Sequence, residues 1–399
     1  MDARRNPYTP GAGTRPEALV GRDELIGHID VMFDRLAEGR HEQSYLITGL
    51  RGVGKTVLLG EFERIAKSKN WVTQFHEVTR SSAFPSMIAR LTRKTLLELS
   101  AVERAKDRAL RALGALRGFS LRLSGEGLEL GYDVERVAGV ADSGNLQDDL
   151  TDLFVEVGET ARECGRGVVY ILDEVQMLEQ EPFEALIAAL HRAGKQLNLP
   201  LTVIGAGLPT LPSLAAEAKS YSERLFLFPL IDRLSPDAAR AALVEPAANE
   251  GVAYSDDALA RVIAVSERYP YFLQEYGKWT WLAAETSPIQ VDDVERGAVR
   301  AQASLDESFF RARYDRVSDG ERHYLCAMAA LPKTKRRSGT VAEQLDAAST
   351  SLSPVRDSLI KKGLIYSARR GEIDFTVPQS DAYLKRRYPR LTRRARPNR

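Results

Sequence analysis

Two residues that can do phosphate chemistry, Lys55 and Thr56, close the octet Gly49-Leu50-Arg51-Gly52-Val53-Gly54-Lys55-Thr56. Gly49, Gly52 and Gly54 let the backbone curl so that successive N–H groups, from Leu50 and Arg51 through Val53 to Val57, point into one concavity. Such a concavity suits phosphate oxygens, and a helix starting there aims its partial positive charge at the same place. From that position the Lys55 ammonium can reach β- and γ-phosphates, and the Thr56 hydroxyl can ligate Mg²⁺. The flanks agree with the P-loop pattern: Tyr45-Leu46-Ile47 reads as a strand before the turn, Val57-Leu58-Leu59 as a helix after it.

The second chemical stretch is Val168-Val169-Tyr170-Ile171-Leu172-Asp173-Glu174. Five apolar residues in a row predict a strand covered on both faces. Two carboxylates at its end are costly to bury without a cation, and Mg²⁺ carried by ATP supplies one. Asp173 then holds the metal, and Glu174 orients or deprotonates the attacking water.

Around these stretches the chain reads as α/β: a parallel P-loop sheet flanked by helices, then an all-helical lid and a C-terminal winged helix. The expected boundaries are a flexible lead over 1–17, an ATPase core over 18–234 and a helical lid over 235–317. A winged helix follows over 318–388, and a basic tail over 389–399. Pro7, Pro10, Gly11, Gly13 and Pro16 suggest the loose lead. A helix is expected over 85–117. Alternating Phe119, Leu121 and Leu123, then Leu128, Leu130 and Tyr132, predict a hairpin inside an insertion at about 100–145. Ser318-Asp319-Gly320-Glu321 is a capping-box signature, and Ser353-Pro354 predicts the start of a third helix over 354–362. Leu364-Ile365-Tyr366 and Ile373 to Val377 flank a basic turn as strand, turn and strand.

Composition sets the bounds. The 399 residues are 44% hydrophobic and 28% charged, which suits an ordinary globular chain of two or three domains. No apolar run has membrane-span length, and the polar start predicts a cytoplasmic protein without a signal peptide. Cys164 and Cys326 lie far apart and the five histidines are scattered, so neither a disulfide nor a zinc site is expected. The net charge of +1 conceals an imbalance: residues 318–399 hold 18 Lys and Arg against 8 Asp and Glu. A basic module on an acidic body suggests a polyanionic partner.

With both nucleotide motifs and the winged helix in this order, the chain resembles AAA+ ATPases of the origin-recognition type over about residues 16–388. The resemblance implies that Val20 and Gly21, in Leu19-Val20-Gly21-Arg22, contact the base. It also implies that Arg224, in Ser222-Glu223-Arg224-Leu225-Phe226, reaches a γ-phosphate as an arginine finger, within the chain or in a homo-oligomer. Two places depart from the family. Gly205-Ala206-Gly207 stands where Asn, Thr or Ser usually positions water. Arg268-Tyr269-Pro270-Tyr271 is similar to the lid of STAND signalling ATPases, in which the proline, here Pro270, contacts nucleotide. Losing a preorganised polar contact costs transition-state stabilisation while the phosphate cradle still binds. The expectation is tight ATP binding, slow hydrolysis and a switch closed by the lid. Duplex DNA is expected to meet Lys335, Arg336, Arg337, Lys361, Arg370 and the tail, with Arg356, Lys361 and Lys362 on the third helix. The alternative is a STAND-like switch whose winged helix and tail meet a protein partner.

Overall fold

Five strands set the architecture of the core. Ser44–Thr48 (β1), Val72–Glu77 (β2), Val168–Asp173 (β3), Leu201–Gly207 (β4) and Phe226–Leu227 (β5) form one sheet in the order β2-β3-β4-β1-β5, with every pair parallel. Strands β1, β3 and β4 are buried at every residue, which requires cover on both faces. The cover comes from α1 (Asp23–Ala37), α2 (Lys55–Ser68), α3 (Phe84–Ser100), α4 (Lys106–Leu123), α5 (Leu146–Cys164), α6 (Gln180–Leu190), α7 (Leu211–Ala218) and the short α8 (Ser222–Leu225). The computed structural model describes residues 1–80, 83–123, 139–369 and 371–394.

The strand order matters for chemistry. β4 lies between β1 and β3, so the carboxyl ends of three buried strands sit side by side. That edge of an open parallel sheet is where ligands meet loops.

The chain forms two compact units. One holds the sheet (Arg22–Gly49 and Lys55–Ile231); the other gathers Met1–Gly21, Leu50–Gly54 and Asp232–Arg399. In the second unit α9 (Pro236–Asn249), α10 (Asp256–Ser266), α11 (Pro270–Ala283), α12 (Val291–Ser304) and α13 (Arg311–Tyr314) make a helical layer. α14 (Asp319–Ala330), α15 (Ser338–Gln344) and α16 (Ser349–Lys361) follow. An antiparallel pair, β6 (Ile365–Arg369) and β7 (Glu372–Phe375), comes next, then α17 (Ser380–Arg387) and α18 (Pro389–Arg394). Ser318 and Glu321 cap α14 reciprocally, as their spacing predicts.

Four expectations are corrected. Phe119 and Leu121 lie on α4 rather than on a strand, and the rest of the expected hairpin, 124–134, lies outside the described residues. The residues 112, 113, 115, 116 and 119 make one buried stripe at helical spacing, which packs into the core with Leu96, Phe154 and Tyr170. The single helix expected over 85–117 is interrupted at 101–105. The third C-terminal helix starts at Ser349, five residues before Pro354, which sits inside it. Finally, the lead is packed rather than loose: Tyr8 is buried, its hydroxyl donates to Leu243 O at 2.6 Å, and Trp281 Nε1 donates to Asp2 O at 3.0 Å. Proline and glycine content predicted a loose segment, but one buried aromatic with a satisfied hydroxyl outweighs that composition.

Candidate functional site

The loop between β1 and α2 turns on Gly52 and Gly54, at φ +88° and +95°, a left-handed region that glycine enters without steric cost. Gly52 is also crowded: a Cβ there would stand 3.1 Å from Tyr269 Cε1 and 3.3 Å from Tyr271 Cβ. The loop's backbone is engaged within its own unit. Arg51 N–H donates to Thr376 O at 3.0 Å, Tyr271 N–H donates to Gly52 O at 3.2 Å, and the Tyr269 hydroxyl donates to Arg51 O. Tyr269 is the residue before Pro270, which opens α11. Burial pushes the Tyr269 phenol far above its ordinary range, so it stays a donor.

At the start of α2, Lys55 is buried and its Nζ donates to Gly49 O at 2.8 Å. Thr56 Oγ1 donates to Asp173 Oδ2 at 2.5 Å. Asp173 ends β3 and is buried, and Glu174 N–H donates to Asp173 Oδ1 at 2.8 Å. Burial raises the Asp173 carboxyl above its ordinary value, against the lowering pull of Thr56, the Glu174 N–H and Lys55. A desolvated carboxylate against a threonine hydroxyl at the end of a parallel strand is a donor set that fits Mg²⁺.

Glu174 is half-buried with φ +54°, an unusual backbone for a non-glycine residue. The left-handed residue swings the chain off the line of β3 into the 3-10 turn Val175–Met177. Gln176 on that turn donates its amide N–H to Glu174 Oε2 and accepts Leu208 N–H at 3.1 Å. Nothing in the sequence reading singled out Gln176; the available signal was a long polar side chain two positions past the paired acids.

Arg224 is exposed on α8, whose backbone carbonyl at that residue accepts Lys195 Nζ at 3.3 Å. Gly21 has φ +72°, and a Cβ there would stand 2.6 Å from Ala238 Cβ, so this residue lies against the start of α9. A further cation, Arg313, stacks over Phe309 with its carbon 3.9 Å from the ring centroid and donates to Phe309 O. Burial and the nearby Arg51 charge both push Arg313 below the ordinary arginine value.

The expected DNA face is smaller than the basic count suggested. Arg336 is buried, with Nη1 2.7 Å from Asp374 and Nη2 2.6 Å from Asp381. Lys362 pairs with Glu321 at 2.7 Å, and Arg356 with Asp357 at 2.9 Å. Sequence counting treated these cations as available, whereas the acids of Arg336 and Lys362 come from other elements and that of Arg356 is the next residue on its own helix. Lys335 and Lys361 are exposed, and Arg370 and residues 395–399 lie outside the described residues. Among the described residues no helix is long and apolar enough to cross a membrane, and no cluster of three or more His, Cys, Asp or Glu forms a metal site.

The sheet order, the glycine loop and the Thr56–Asp173 contact define a P-loop ATPase fold. Residues 18–204 match an AAA ATPase domain, and residues 307–384 match a domain of unknown function, DUF8462. The chain carries an AAA-type ATPase domain. It is similar to the Walker-type ATPase PABY2304 of Pyrococcus abyssi at TM-score 0.55 and 15% identity, over 95% of this chain and 99% of that one. Lower similarity is found to the Aeropyrum pernix ORC1 protein in complex with DNA (TM-score 0.46, 15% identity, 98% and 97% covered). The RuvB Holliday junction branch migration motor of Thermotoga maritima is at the same level (TM-score 0.46, 15% identity, 94% and 99% covered). No curated protein matches the chain.

Proposed function

We propose that this protein is a nucleotide-controlled switch that binds Mg²⁺–ATP and hydrolyses it slowly, with a C-terminal winged helix that binds duplex DNA. The observation that carries the reading is the Thr56–Asp173 contact beside Glu174, at the end of β3 and the start of α2. When bound, Mg²⁺–ATP supplies the electrophilic phosphorus and the cation that offsets the Asp173 charge. Thr56 and Asp173 would hold the metal side of the complex, and Lys55, whose ammonium rests on the Gly49 carbonyl, would serve the phosphate oxygens. Glu174 aligns the attacking water and takes its proton. Val20, Gly21 and Pro270 bound the base, and Arg224 completes the charge clamp from this chain or a neighbouring copy.

Three helices followed by a two-stranded antiparallel hairpin support the winged-helix part of the proposal. The exposed basic groups that remain for phosphate are Lys335, Lys361, Lys385, Arg387 and Arg390. Their contacts are to backbone phosphate, so affinity falls with salt at a log–log slope of about −0.9 per phosphate neutralised, and base selectivity is modest. ATP turnover measured with and without duplex DNA, alongside light scattering, tests the reading. Slow turnover and salt-sensitive DNA binding support it. Absence of ATP binding removes the ATPase reading, and salt-independent or absent DNA binding removes the DNA reading. Nucleotide-dependent oligomerisation without DNA affinity would instead favour a protein partner.

A further inference from the structure

Strand β4 ends without a polar side chain, on Gly205-Ala206-Gly207, and packing accounts for both glycines. A Cβ at Gly205 would stand 2.6 Å from Leu46 Cδ2 and 2.7 Å from Val175 Cγ2. A Cβ at Gly207 would stand 2.3 Å from Gln176 Oε1 and 2.7 Å from Leu211 Cδ1. Separations below about 3 Å leave no room for a side chain. The turn after Glu174 thus occupies the space that side chains of β4 would fill: Val175 lies over Gly205, and Gln176 over Gly207.

We propose that Gln176 is the positioning residue of the hydrolytic site: its amide ties Glu174 to the end of β4 and supplies the polar group that the strand lacks. The inference rests on the reading of Glu174 as the residue that activates water. The chemistry selects glutamine. One end of its side chain must accept from a backbone N–H (Leu208, 3.1 Å), and the other must donate to a carboxylate (Glu174 Oε2). A primary amide does both at once, and only one of its two flip orientations satisfies both partners. Glutamate accepts but cannot donate when ionised, and asparagine is one methylene short. Because Glu174 holds a left-handed backbone, which a non-glycine residue enters only under constraint, its carboxylate direction depends on such tethers. Gln176 acts on the orientation of the base, so its loss is read in turnover and not in nucleotide affinity.

The test compares Q176A, Q176E and E174Q, alone and combined, by ATP affinity and by steady-state and single-turnover hydrolysis. The expected result is that Q176A and Q176E bind ATP within about twofold of the parent while kcat falls about 10- to 100-fold, the range for misorienting one catalytic group. Q176E keeps the acceptor for Leu208, loses the donor and sets a second carboxylate against Glu174, so it also serves if Q176A folds poorly. In the E174Q background neither change slows the residual turnover further, because the carboxylate to be positioned is gone. Parental kcat in Q176E, or an equal proportional loss in the E174Q background, overturns the inference while leaving the ATPase reading intact. Equal turnover by the parent and E174Q overturns the role of Glu174, and the inference with it.

Discussion

Thr56 and Asp173 stand 117 positions apart in sequence, yet the threonine hydroxyl donates to the aspartate carboxylate at 2.5 Å. The contact joins the first turn of α2 to the last residue of β3. It brings two sequence motifs together at one edge of the sheet.

Because burial raises Asp173, the group contributes stability at pH values below its ordinary carboxyl pKa. That contribution is lost as pH rises through the folded-state value, so near neutrality the ionised carboxylate costs stability until a cation offsets it. Asp173→Asn should therefore raise the Tm of the nucleotide-free protein by a few degrees, with roughly 2–4 °C corresponding to 1 kcal/mol. It should also abolish the additional Tm gain that Mg²⁺ gives over ATP alone. Thermal scans with ATP, with and without Mg²⁺, check both parts.

Lys55→Ala removes the buried ammonium that now rests on Gly49 O. Charge-assisted contacts contribute about 1.5–3 kcal/mol each, so ATP affinity should fall at least about 10- to 100-fold in calorimetry. By contrast, Glu174→Gln should keep parental affinity and lower kcat by about 100-fold or more, trapping the ATP form. Parental turnover by that variant would show that Glu174 has no part in hydrolysis.

Arg336 and Lys335 are neighbours with opposite expected phenotypes. Arg336→Ala leaves Asp374 and Asp381 without their buried guanidinium and should cost about 3–5 kcal/mol of folding stability in denaturant titration. Lys335→Ala, at an exposed position, should leave stability within about 0.5 kcal/mol. It should reduce the salt slope of DNA binding by about 1.

Glu321 lies in the α14 cap, where burial works to raise its carboxyl but Lys362, the Ser318 N–H and Ser358 together hold it down at about 2. A lowered value means its contribution is present above the ordinary glutamate range near 4.5 and is lost as pH falls toward 2. Glu321→Gln should cost about 1–3 kcal/mol at pH 7, after allowance for the partly exposed lysine, and flatten the acid limb of the stability curve. Urea titrations at pH 3 and pH 7 measure the difference.

The sequence alone determined where the glycine loop and the paired acids fall, at the ends of β1 and β3. Glycine spacing, a following Lys-Thr and a five-residue apolar run before Asp-Glu are local patterns, because phosphate cradles and doubly covered strands are built from adjacent residues. The cap at Ser318 and Glu321 was legible for the same reason. What only the tertiary structure decided depended on residues distant in the chain. Arg336 and Lys362 counted as free cations until strand β7, helix α17 and helix α14 brought acids to them. The lead looked loose until Tyr8 met Leu243 and Tyr254. Alternation over 119–123 looked like a strand until the buried stripe of α4 joined α3 and α5. Gly205 and Gly207 looked like a missing polar group, and the fold fills that space with Gln176 from another strand's end. Local pattern fixes which residues can do chemistry; long-range packing decides which of them are left available, because each buried charge or amide takes its partner from elsewhere in the chain.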